Sequence, residues 1–165
     1  MLQFLTLLSM AVFVVADQLI KLLALNHLEP IGVKSAIPGV FQFSYVENTG
    51  AAFGSFSKFT GALSVFTAII LVAMIILLLS KKLKFGVAYC SLVLIISGGI
   101  GNLIDRIFRG YVIDYIEPLF INFAVFNFAD ILVTVGASVL IVYLIYDTIK
   151  DSKKSQAGKL ENKDE

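Results

Sequence analysis

Apolar residues fall into four long runs separated by polar breaks: about 2–25, 59–80, 85–104 and 124–146. At about 1.5 Å rise per residue, a helix of about 20 residues crosses the roughly 30 Å hydrocarbon core of a bilayer. Lipid offers the backbone no hydrogen bonds, so each run is predicted to span as a helix. The pattern changes between the first two runs. VFQFSYVEN alternates, with Phe41, Phe43 and Tyr45 on one face and Gln42 and Ser44 on the other, which predicts a strand. IPGV before it reads as a turn. NTGAAFG after it is small and flexible, suited to close backbone approach by a ligand. The predicted fold is an all-α integral membrane protein: four transmembrane helices and a small extracytoplasmic β-element in the first outer loop. Residues 1–150 form one membrane domain, with outer loops at 26–58 and 105–123. Residues 151–165 form a polar, poorly ordered cytoplasmic tail.

Lysine and arginine set the expected orientation. The link between the second and third runs carries Lys81, Lys82 and Lys84, and the tail carries Lys150, Lys153, Lys154, Lys159 and Lys163. The two longer loops hold only Lys34, Lys58, Arg106 and Arg109. The positive-inside rule therefore puts both termini in the cytoplasm and the longer loops outside. The first run lacks a basic leading segment and a small-residue cleavage site, so it is expected to stay as a span rather than be removed.

Against this apolar background the polar residues stand out. Asp17 and Lys21 are four apart in the first run and share a helical face. SGGIGNLIDR brings Asn102, Asp105 and Arg106 to the outer end of the third, behind Gly98, Gly99 and Gly101, which let a neighbouring helix come close. Asn127 and Asp130 sit near the outer start of the fourth, and YVIDYI places Asp114 in the loop before it. All of these are expected at one depth, as if lining one site in the outer half of a bundle. A charged side chain at the bilayer centre costs about 2.5–3.5 kcal/mol even on the lenient insertion scale. Asp130 has no basic residue in its own run, so that cost points to function. Asp17 with Lys21, and Asp105 with Arg106, read equally as ion pairs that fix the helices.

Composition narrows the chemistry. The chain has 165 residues, 58% of them hydrophobic and 15% charged, with net charge +1, so nothing calls for a nucleic-acid partner. One Cys and one His do not make a zinc or iron site, which wants three or four N/S ligands; no metal or cofactor is expected. Cys90 is expected to be a small buried hydrophobe, and His27 to lie at the headgroups. Ser–His catalysis has no partner pattern around His27, and Lys21 beside Asp17 stays charged and is a poor base. The remaining candidates are the carboxylates Asp114 and Asp130. Two carboxylates confined together share one proton: one member draws a proton from water while the other donates to a carbonyl oxygen. Whether these two meet is left open by the sequence.

Five stretches in order, DQLIK, ENTGAAFG, GNLIDR, YVIDYI and FNFAD, resemble the motifs of lipoprotein signal peptidases, the signal peptidase II family of aspartyl proteases of the bacterial inner membrane. The resemblance covers nearly the whole chain apart from the tail, with no departure in the core motifs. It implies that Asp114 and Asp130 are the catalytic pair and that Asn102 and Arg106 line the substrate pocket. It further implies that Asn48, with Gly50 in the same segment, belongs to the β-cradle region that clamps substrate, and that Asn127 supports the pair. Asp17, Lys21 and Asp105 carry over as supporting residues. The implied substrates are prolipoproteins whose Cys already carries a diacylglyceryl group, with membrane lipid around them and cyclic peptides of the globomycin type as inhibitors. The rival reading is a small proton-coupled transporter using Asp130 and Asp17. Against it, the inner halves of the second and fourth runs are nearly pure Ile, Leu and Val, which leaves no polar path. A structural assembly subunit would leave the cost of Asp130 unexplained.

Overall fold

A computed structural model of the chain describes residues 1–50, 60–80 and 82–161. The Ala51–Gly54 part of the flexible motif, Lys58, Phe59, Lys81 and the last four residues of the tail lie outside the described residues. The elements in order are α1 (Leu2–His27), a single turn of 3₁₀ helix (Glu29–Ile31), β1 (Val33–Ile37), β2 (Phe41–Asn48), α2 (Thr60–Leu79), α3 (Val87–Phe108), β3 (Val112–Pro118) and α4 (Phe128–Glu161). All four α-helices are long and apolar enough to cross a membrane. Large apolar side chains such as Val65, Ile69, Val142 and Leu144 face outward along them. That surface would be costly in water but suits lipid tails, which are as apolar as the side chains they meet.

The β-element is larger than the alternation in the first loop predicted. It is a three-stranded antiparallel sheet in the order β1-β2-β3, and its third strand comes from the second loop. The β1–β2 link is a tight turn in which Val40 N–H donates to the Ile37 carbonyl at 3.0 Å. Pro38 and Gly39 occupy its central positions, and Gly39 has φ +73°, the left-handed value a type II turn requires there. Along β2–β3 the register pairs Gln42 with Glu117, Val46 with Asp114 and Asn48 with Val112, with a bulge between Phe43 and Val46. The Ser44 hydroxyl and the Gln42 amide both donate to Glu117, tying the two strands by side chains as well. Phe126 then forms an isolated bridge to Ile116, drawing the end of the second loop back onto the sheet.

Three boundaries differ from expectation. α3 runs on to Phe108, so Asp105 and Arg106 lie within the helix rather than in a loop. Residues 124–127 are extended, because Phe126 pairs with β3, and α4 begins only at Phe128. At the other end α4 continues to Glu161, well past the apolar run, so the expected disordered tail is helical over most of its length. Polarity marks where a span leaves the bilayer, not where backbone hydrogen bonding stops. Cys90 is exposed on the outside of α3 instead of buried, where a small apolar thiol is at home against lipid.

One core cluster joins α1, α2 and α3 through Met10, Leu71, Leu78, Tyr89 and Ile96. A second, of Ala24, Leu28, Ile113 and Tyr115, seats β3 on the end of α1. The α3 glycines have three different neighbours. A Cβ at Gly98 would run into the Ala129 carbonyl of α4, one at Gly99 into Leu71 of α2 (2.6 Å), and one at Gly101 into the Asp17 carboxylate of α1. Glycines on three sides of α3 therefore let α4, α2 and α1 each come close to it.

Candidate active site

The start of α4 is the centre of the site. The first N–H groups of a helix lack intrahelical partners, and at membrane depth water cannot serve them. Here each has a side-chain acceptor. Phe128 N–H donates to the Tyr115 hydroxyl of β3 (3.1 Å), Ala129 N–H to Asp17 Oδ1 of α1 (3.1 Å) and Asp130 N–H to Asn127 Oδ1 (2.9 Å). Asp130 Oδ2 accepts in turn from Asn127 N–H (3.1 Å), so Asn127 and Asp130 form a reciprocal capping box. A carboxylate in the first turn also sits favourably in the helix dipole. Asp130 is thus less isolated than its run of sequence suggested, because α4 starts only two residues before it.

Behind this turn lies a buried charge network. Lys21, fully enclosed, donates to Asp17 Oδ2 (2.9 Å), Asp105 Oδ2 (3.0 Å) and Asn102 Oδ1 (2.8 Å), which uses all three ammonium hydrogens. Asp105 Oδ1 receives Arg109, and Asp105 Oδ2 also accepts Ile113 N–H (3.2 Å), tying α3 to β3. Gln18 bridges the set, donating to Asp17, Asp105 and the Gly101 carbonyl and accepting from Arg109 at 3.2 Å. Two carboxylates and two cations balance here, the condition for keeping charge buried.

From this base an amide relay leads to the two candidate carboxylates. Asn102 Oδ1 is held by Lys21, which only donates, so its Nδ2 must point the other way, to Asp130 Oδ1 at 2.7 Å. Asn127 Nδ2 donates both to Asn102 Oδ1 (3.1 Å) and to Asp114 Oδ1 (2.6 Å). Asp114 Oδ2 accepts from Asn48 Nδ2 at 2.9 Å. Asn48 is fixed at its other end by Gly50 N–H (3.0 Å), and the Gly50 carbonyl accepts from Arg106 Nη2 at 3.2 Å. The structure therefore brings all ten sequence-selected residues into one connected arrangement, with Asn127 touching both Asp114 and Asp130.

Asp114 is only 2% exposed. Burial, and then the negative charge of Asp130, push its carboxyl up to about 6; the Asn48 and Asn127 amides pull the other way. Asp130 is half-buried. Both line one cavity of about 460 Å³, together with Asn48, Asn102 and Arg106 on its polar side and Val112, Phe123–Phe126, Ile131, Thr134 and Val135 on its apolar side. Among the described residues no group of three or more His, Cys, Asp and Glu is placed to hold a metal ion.

Sequence reasoning passed over Gln18, Arg109 and Tyr115. Gln18 stood inside a quoted motif, but one amide among apolar neighbours carries no signal of its own. The spacing of Asp105 and Arg109, four apart on one helix, was a readable signal once α3 is known to extend that far.

Fold and site together define a class: a multi-pass membrane protein whose paired carboxylates open on an apolar cavity beside a small sheet. Residues 9–146 match the family model of signal peptidase (SPase) II. The lipoprotein signal peptidase of Clostridium acetobutylicum is 39% identical over 150 residues, spanning 89% of this chain and 96% of that one. That of Lactobacillus johnsonii is 38% identical over 141 residues, 84% and 90% of the two chains. A solved bacterial membrane enzyme, determined in meso at 2.3 Å resolution, superposes with TM-score 0.79 at 29% identity, covering 87% of this chain and 88% of its own. The chain belongs to the signal peptidase II family and is a protease of bacterial membranes. The transporter reading has no support in these comparisons.

Proposed function

We propose that this chain is an aspartyl endopeptidase that hydrolyses the signal peptide from diacylglyceryl-modified prolipoproteins just before the lipidated Cys. The observation that carries the reading is the shared grip of Asn127 on Asp114 and Asp130, at the polar wall of an otherwise apolar cavity. Confined so, the pair holds one proton between its members. One carboxylate takes a proton from the attacking water while the other donates its own to the scissile carbonyl oxygen. The gem-diol then collapses, a proton passes to the leaving nitrogen, and the C–N bond breaks without a covalent enzyme intermediate. Asn102, Asn48 and Asn127 hold the carboxylates in place. Arg106, which lines the cavity and holds the Gly50 carbonyl, positions polar groups of the substrate, and Asp17, Lys21 and Asp105 fix the helices that carry the pair.

The proposed orientation puts both termini in the cytoplasm and the site in the outer leaflet of the inner membrane, where the acyl chains of the substrate lie. A cyclic lipopeptide of the globomycin type would bind as a non-cleaved occupant of the same cavity. The test is a gel-shift cleavage assay in detergent micelles with a diacylglyceryl prolipoprotein. Wild type should cut before the modified Cys, and Asp114→Asn and Asp130→Asn should each lose at least a thousandfold in turnover while keeping the helical circular dichroism of wild type. A folded Asp114→Asn protein with full turnover would sink the dyad.

A further inference from the structure

The apolar wall of the cavity contains one hydroxyl that the mechanism above does not use. Thr134 is four residues beyond Asp130 on α4, so it lies on the same helical face, about 6 Å further along the axis and away from the sheet. Its neighbours on that wall, Ile131, Val135, Val125 and Phe126, are apolar. Hydroxyls inside helices commonly bond back to the carbonyl one turn earlier, as Thr6, Ser97, Thr148 and Ser152 do here. Thr134 makes no hydrogen bond among the described residues, and its side chain is exposed in the open cavity. The cavity wall thus offers a hydroxyl, that of Thr134, that no described residue engages.

A peptide must be unwound for its bond to reach two carboxylates, and its main-chain N–H and C=O groups then have neither helix nor water to bond. An extended chain advances about 3.3 Å per residue, so 6 Å along α4 corresponds to about two residues. We infer that Thr134 binds a main-chain amide of the substrate about two residues before the cleaved bond. The inference rests on the proposed peptidase reading, since α4 leaves the site in the direction the signal peptide would take. Thr134 is a substrate-binding residue in this scheme, holding the unwound segment in line while contributing nothing to proton transfer.

The experiment compares Thr134→Val and Thr134→Ser with wild type in detergent micelles. Its substrates are synthetic diacylglyceryl peptides in which each amide within three residues before the cleaved bond is replaced in turn by an ester. Valine keeps the shape and removes the hydroxyl, so kcat/KM should fall about tenfold, the scale of one net hydrogen bond. Serine should recover most of it. One ester substrate should cost wild type a similar factor yet cost Thr134→Val nothing further, the mark of a direct pairing. Equal kcat/KM for Thr134→Val and wild type would overturn the inference. So would a serine variant as impaired as valine, or ester penalties that are the same in both proteins. Failure of the underlying reading looks different: Asp114→Asn would then cut as fast as wild type, whatever the Thr134 series does.

Discussion

Asp114 shows how a single position couples catalysis to stability. Its carboxyl is nearly enclosed, and burial raises it from the ordinary 3.8 to about 6. A raised carboxyl means that the folded protein binds its proton more tightly than the unfolded chain does. Between about pH 4 and pH 6 the native state is therefore protonated where the unfolded state is not, and stability falls as pH rises through that window. That rise corresponds to about 3 kcal/mol at most. Unfolding followed in micelles from pH 4 to pH 7 should show wild type losing stability across this range, whereas Asp114→Asn should lack most of that slope. Parallel curves would mean that the carboxyl is not strained by its site. The chemistry-bearing residues were legible because ionisable groups are rare in apolar runs and each stands out. What the sequence did not carry was their division of labour. Lys21, Gln18 and Arg109 reach the cavity only through other side chains, and Asp130 is partly explained by capping its own helix.

At the level of elements, the α3 glycines decide how close α4 and α2 can come. They were readable as a close-packing signal, but their individual partners were not. The obstacle differs in kind at each position, which gives a graded prediction. At Gly98 an added methyl meets the backbone carbonyl of Ala129, next to Asp130, and backbone at the start of a capped helix has little room to shift. At Gly99 it meets the end of the Leu71 side chain, which can change rotamer. Overpacking costs about 1–3 kcal/mol when the surroundings must move, so Gly98→Ala should fall at the upper end and Gly99→Ala near zero. Gly98→Ala should also lower cleavage, because it displaces the turn that holds Asp130. Melting curves in detergent alongside turnover would reveal the order, and Gly99→Ala as harmful as Gly98→Ala would refute it. The misread elements share a cause. β3 reads Val-Ile-Asp-Tyr-Ile and is buried on both faces, Ile113 and Tyr115 against α1 and Val112 and Asp114 along the cavity wall, so it lacks the alternation that revealed Phe41–Asn48 as a strand. Residues 124–127 are as apolar as a span yet pair with a strand, and hydrophobicity alone does not separate the two.

For the whole molecule, four spans return the chain to the side where it began, and the sheet, the cavity and the amide relay all gather at one end. Chain connectivity requires this: β1 and β2 follow the end of α1, β3 follows the end of α3, and α4 starts from the same place. At the opposite end stand Lys82, Lys84, Lys150 and Lys153, against a sparse basic content in the long loops. The positive-inside rule counts short, flanking basic segments most heavily, and this asymmetry should fix the sheet outside. Alkaline phosphatase, active only after export, should work when fused after Val40 or Asn122 and stay inactive after Lys84. A fluorescent protein that matures only in the cytoplasm should light up at the C-terminus. The reverse pattern would be decisive against the proposed function, since the cavity would then open toward the cytoplasmic leaflet. A peptidase that waits for a lipid-bearing Cys beyond a translocated signal helix must hold its carboxylates at the depth where that Cys is anchored. The same four reporters thus test the orientation on which that substrate depends, independently of any substitution in the site.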